Sequence, residues 1–136
     1  MNWYKKAQKI RLWLDDDRDP TDPNIQNLFG AVGDELWVKN SAEAISWLET
    51  GKVGWISLDN DLGDIKINGE GYDVAKWIEE QAYYGKIERI KCRVHTQNVG
   101  KQDQIYQAIS NADEYWSEHE SQEDSIAETN EEEYLV

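Results

Sequence analysis

Three consecutive carboxylates, Asp15, Asp16 and Asp17, close the apolar run Ile-Arg-Leu-Trp-Leu, with Arg18 and Asp19 directly behind them. Adjacent carboxylates repel one another, so a chain that gathers them at a buried strand end needs a compensating cation. Oxygen-only ligands select a hard ion such as Mg²⁺ or Mn²⁺. The same run in an open loop would be held by water alone. A second group repeats the pattern, because the apolar Trp-Ile-Ser-Leu runs straight into Asp59, with Asp61 two residues on. The third, Arg93-Val94-His95-Thr96-Gln97-Asn98, offers His95 as a general acid or base and Thr96 as a hydroxyl donor to a phosphoryl oxygen. A lone histidine at a strand end is more often a structural hydrogen-bonding residue, and both readings stay open from sequence.

The segments around these groups alternate in a recognisable way. Ile10 to Leu14, Glu35 to Lys39, Trp55 to Leu58 and a segment within Glu88 to Val94 read as strands. Between them lie helix signals. Asp22-Pro23 opens a short helix that Gly30 ends, and Ser41 N-caps a helix stopped at Gly51, with Ala44, Ile45, Trp47 and Leu48 on one face. Gly71 to Tyr84 places Val74, Ala75, Trp77 and Ile78 inward, and a last helix lies around Gln102 to Trp116. Such alternation with short connections predicts an α/β, receiver or flavodoxin-like parallel sheet of four strands, or five, in order 2-1-3-4 with helices on both faces. Ligands of such sheets sit outside the carboxyl ends of the strands where the strand order reverses, here between the first and third strands. Both of those strands end in aspartate.

Composition bounds the rest. A chain of 136 residues suits one domain. No apolar stretch approaches the roughly 20 residues that cross a bilayer, and the segment after the basic N-terminus is too short for a signal peptide, so a cytoplasmic protein without membrane attachment is expected. Cys92 is the only cysteine, which leaves neither an intrachain disulfide nor a cysteine-based zinc site. Zinc, Walker and dinucleotide glycine patterns are absent. The net charge of −14 is uneven: ten of the 28 acidic residues lie between Asp113 and Val136 without a Lys or Arg among them, leaving 18 acids against 14 bases in residues 1–112. A stretch of that composition buries too little apolar surface to offset the entropy of ordering, so residues 117–136 are expected to form a solvated acidic tail, or a weakly helical one, behind a domain of residues 1–116. That tail could also engage a basic protein partner. Of the seven tryptophans, Trp13, Trp37, Trp47, Trp55 and Trp77 fall within predicted elements and read as core, whereas Trp3 and Trp116 lie nearer the ends and fit base stacking better.

Four segments in order, LWLDDDRDP, ISLDNDLG, GEGYDVAKWIEE and VHTQNVGKQDQI, resemble the cyclic-phosphate processing receiver family, a relative of the receiver domains of two-component response regulators. The resemblance covers roughly residues 9–110. It implies that Asp15 and Asp16 hold Mg²⁺, that Asp59 takes the phosphoacceptor position, and that Thr96 is the hydroxyl residue ending the fourth strand; Asp59 would then be the nucleophile or a third ligand to Mg²⁺ or Mn²⁺. It also implies a phosphorylated or cyclic-phosphate ligand, with the cyclic phosphate ends of RNA as the family's inferred substrate. Asp59, His95 and Thr96 are then the candidate catalytic residues, and Arg18, Thr96 and Asn98 the candidate phosphate contacts. The chain departs from signalling receivers in lacking a fifth strand that ends in lysine, for which Arg18 or Lys101 could substitute. Its GDIKINGEG segment also lengthens the loop after the third strand. A phosphoryl-processing domain is the leading expectation, with turnover left open. A receiver-like binding module that does no chemistry is the alternative, and a haloacid-dehalogenase-type phosphatase ranks last because the later lysine and acidic motif are missing.

Overall fold

The computed structural model describes residues 9–96 and 99–135, with side-chain surroundings for residues 9–96 and 100–122. Four parallel strands form one sheet in the order β2-β1-β3-β4: β1 (Ile10–Leu14), β2 (Leu36–Val38), β3 (Val53–Leu58) and β4 (Lys91–Val94). The expected strand order is the observed one, and the described residues contain four strands. Five helices connect and follow them: α1 (Pro23–Phe29), α2 (Ser41–Glu49), α3 (Ile65–Asn68), α4 (Gly71–Tyr83) and α5 (Val99–Leu135). The stretch expected as a tail continues α5 as far as Leu135. No helix among the described residues is long and apolar enough to cross a membrane.

Local chemistry accounts for the helix ends. Asp22 accepts a hydrogen bond from the Asn24 N–H ahead of Pro23, and Gly30, at φ 80°, closes α1 in the left-handed conformation. Asn40, one residue earlier than expected, caps α2 by accepting from the Glu43 N–H at 2.8 Å. The elongated loop after β3 contains α3, a single turn too short to show apolar periodicity, so the sequence pattern reads it as loop. β3 begins at Val53, ahead of the expected Trp55, because Val53 pairs with Ile10 of β1.

The two sheet faces are covered unequally. Leu12, Leu14, Ile56, Leu58 and Val94 pack in one cluster with Ala44 and Leu48 of α2, Val74 and Ile78 of α4, and Ile105 and Ala112 of α5. Trp13, Ser57 and Arg93 are aligned on the opposite face, where Arg93 reaches the Phe29 and Gly30 carbonyls at the end of α1. Trp13 is fully buried, and Trp37, Trp47, Trp55 and Trp77 are half-buried. The expectation for Trp116 is corrected: it is 3% exposed and donates its indole N–H to the Ile87 carbonyl at 3.0 Å, so it cannot stack on a base. The indole lies on the side of α5 that packs against the body. Trp3 lies outside the described residues.

Candidate phosphate and metal site at the strand ends

The sheet ladder continues one residue beyond three strands and thereby builds the site. The Asp15 N–H donates to the Val38 carbonyl at 3.1 Å, the Asp59 N–H to the Leu14 carbonyl at 2.9 Å, and the His95 N–H to the Leu58 carbonyl at 2.9 Å. Asp15, Asp59 and His95 therefore stand side by side at the carboxyl edge, where the order reverses between β1 and β3.

The Asp15-Asp16-Asp17 run divides by burial. Asp15 is buried, Asp16 half-buried and Asp17 exposed. The Asp15 carboxylate folds the turn over itself, its Oδ1 accepting from the Asp17 and Arg18 N–H groups at 3.0 Å each, while the indole N–H of Trp37 holds its carbonyl at 2.7 Å. One oxygen each from Asp15, Asp16 and Asp59 lies within 4.8 Å of the others, which suits a hard divalent cation. Asp61, Gly63, Arg18 and Thr96 help to line a cavity of about 430 Å³.

Electrostatics separates the two central carboxyls. Burial pushes Asp15 up, but hydrogen bonds from His95 and from the Arg18 and Asp17 backbone outweigh it and hold the group below its ordinary value. Asp59 is pushed up to about 6, by burial first and by the Asp15 charge second, against the opposing hydrogen bond with Thr96 and the Arg18 charge. Asp16 is raised by burial and by its acidic neighbours. The Arg18 guanidinium bridges the pair, with Nη1 3.2 Å from Asp15 Oδ2 and 3.3 Å from Asp59 Oδ2.

His95 is enclosed. Its Nε2 lies 3.0 Å from Asp15 Oδ2, its Nδ1 2.7 Å from Ser57 Oγ, and its ring stacks on Trp13 with centroids 3.9 Å apart. An ionised Asp15 can only accept, so Nε2 carries the proton and the Ser57 hydroxyl donates to Nδ1. Burial lowers the His95 pKa, which keeps this ring neutral.

Of the sequence candidates, Asp15, Asp16, Asp59, Arg18 and Thr96 meet around one cavity, and His95 stands directly behind it. Lys101 pairs with Glu70 at 3.8 Å, and Arg18 bridges Asp15 and Asp59. Asn98 lies outside the described residues. Sequence reading overlooked Ser57 and Asn60. Ser57 is the one polar residue in the strand Val-Gly-Trp-Ile-Ser-Leu, a signal that was available. Asn60 is 2% exposed and accepts from the Tyr72 N–H at 3.0 Å, tying the Asp59 turn to α4, a role visible only once the two segments meet.

No curated protein and no solved structure matches this chain. The family model described as "Cyclic-phosphate processing Receiver domain" matches residues 10–111, the whole of the sheet and the first third of α5. With three-quarters of its length so matched and its acidic residues gathered at the strand ends, the chain belongs to the cyclic-phosphate processing receiver domain family.

Proposed function

We propose that the domain is a Mg²⁺-dependent phosphoryl-binding and phosphoryl-processing unit whose ligands include cyclic phosphate ends such as those of RNA. The observation that carries this reading is the meeting of Asp15, Asp16 and Asp59 at one point of the carboxyl edge, with oxygens within 4.8 Å of one another. Mg²⁺ or Mn²⁺ bound there would polarise a phosphoryl oxygen and offset the negative charge of the cavity. Asp15 holds its orientation through His95 and the turn amides, Asp59 is the candidate nucleophile or ligand, and Thr96 presents its hydroxyl beside it. His95 serves as a positioning residue, because both of its ring nitrogens are engaged.

That last observation also favours a second reading, a binding module without turnover, since His95 offers no ring nitrogen to a substrate. Hydrolysis of a 2′,3′-cyclic nucleotide and of an acyl-phosphate donor, with Mg²⁺ present, separates the two. The processing reading expects turnover by the parent and its loss in Asp59→Asn with the fold retained. No turnover on either substrate leaves the binding module, and equal turnover by both proteins removes Asp59 from the chemistry. An unchanged melting temperature at millimolar Mg²⁺ would count against the metal site itself, because a ligand of the native state must raise it.

A further inference from the structure

We propose that Arg18 is an anion ligand held in reserve: a divalent cation must first displace its guanidinium from Asp15 and Asp59, so that metal and phosphate bind in that order. This rests on the metal reading above and adds to it a defined role for one side chain. The same two carboxylates are in demand twice. Arg18 Nη1 lies 3.2 Å from Asp15 Oδ2 and 3.3 Å from Asp59 Oδ2, and these two carboxylates with Asp16 form the group that fits a cation. A guanidinium and a divalent ion repel each other and compete for these two carboxylates.

The backbone at Arg18 is anchored independently of its side chain. Its N–H donates to Asp15 Oδ1 at 3.0 Å, and its carbonyl accepts from the Trp13 indole at 2.9 Å. The side chain is 22% exposed and lies over the Phe29 ring, with Cζ 4.3 Å from the centroid, an apolar surface along which the proposed displacement would turn it. The cavity lining explains the order. Five carboxylates, Asp15, Asp16, Asp17, Asp59 and Asp61, face one guanidinium there. An anion entering before the metal meets net negative charge and a guanidinium already engaged by two carboxylates. After the metal it meets neutralised carboxylates and an arginine fork of the geometry that suits a phosphate.

The test uses the full chain with Arg18→Gln and Arg18→Lys, titrated with Mg²⁺ and with inorganic phosphate by calorimetry, alongside the Arg side-chain N–H signals in NMR. Without phosphate, Arg18→Gln should bind Mg²⁺ about tenfold or more tightly than the parent, as expected for losing a charge-assisted competitor, with Arg18→Lys between them. The Arg18 Nε signal of the parent should shift on adding Mg²⁺. Phosphate should bind the parent only when Mg²⁺ is present, and bind Mg²⁺-loaded Arg18→Gln about tenfold or more weakly. Equal Mg²⁺ affinity in parent and variants, or undiminished phosphate binding by Arg18→Gln, would overturn the displacement while leaving the metal site standing. Failure of all three proteins to bind Mg²⁺ would overturn the metal reading and the binding order with it.

Discussion

Asp59 shows how a residue of the proposed site can weaken the fold. With its carboxyl raised from 3.8 to about 6, the folded and unfolded chains both hold this proton below pH 3.8, and only the folded chain holds it between 3.8 and about 6. Above about 6 neither does, and the whole cost of the buried carboxylate falls on the folded state. In metal-free buffer this group therefore removes stability as the pH rises through that window. Asp59→Asn should be more stable than the parent at pH 7.5, by about 1–3 kcal/mol, and should lose most of that advantage at pH 4. Urea unfolding in EDTA at the two pH values measures it, and an advantage that does not change with pH would sink the explanation. Asp15 behaves oppositely, because its folded pKa is depressed, and its contribution is lost as the pH falls through that value. His95, held from behind by Ser57, supplies part of that depression.

Among the elements, the start of α4 governs the site most directly. The Gly71 N–H donates to the Asn60 carbonyl at 3.0 Å, and a Cβ at Gly71 would run into the Asp59 backbone carbonyl oxygen. No flexible side chain is available to yield there, only the strand end itself. Gly71→Ala should cost about 1–3 kcal/mol, the usual range for overpacking, and should weaken Mg²⁺ binding because Asp59 moves with its backbone. Denaturation and Mg²⁺ titration of the same preparation check both effects. Unchanged stability would show that α4 can retreat without disturbing the strand, and the proposed link between helix start and ligand would fall. At the same helix end, Glu70 also donates its N–H to Asp73 Oδ2 at 2.8 Å, which fixes the entry into α4 from the other side.

Across the molecule as a whole, stability depends on how far the packed body extends along α5. Beyond Trp116, Arg89 reaches Ser117 at 3.0 Å and Glu120 at 3.1 Å, and His119 lies 3.1 Å from the Tyr83 carbonyl. These groups are exposed, and pairs of that kind are individually weak. We therefore expect a chain ending at Trp116 to melt about 2–5 °C below the parent and a chain ending at Gln122 to match it, with Mg²⁺ affinity unchanged in both. Thermal melts of the two truncations decide this. Equal melting of both would return the boundary to residue 116, and a much larger loss in the shorter chain would mean that the end of α5 carries part of the core.

The strand order and the acidic edge are legible in the sequence. Short connections permit few topologies, and an apolar run that stops at Asp15 or Asp59 marks a strand end whatever surrounds it. The motifs also singled out Asp15, Asp16, Asp59, Arg18 and Thr96, which meet around one cavity, together with His95 behind it and Asn98, which lies outside the described residues. Which atoms meet was a matter for the folded chain alone. Arg18 lies 41 residues from Asp59, and Ser57 lies 38 from His95, so neither pairing has a local signature. The expectation for Trp116 failed for the same reason: Ile87, whose carbonyl accepts its indole N–H, is 29 residues away. Periodicity reports on the face a residue shares with its near neighbours, while burial, hydrogen-bond partners and pKa depend on groups brought together by the fold.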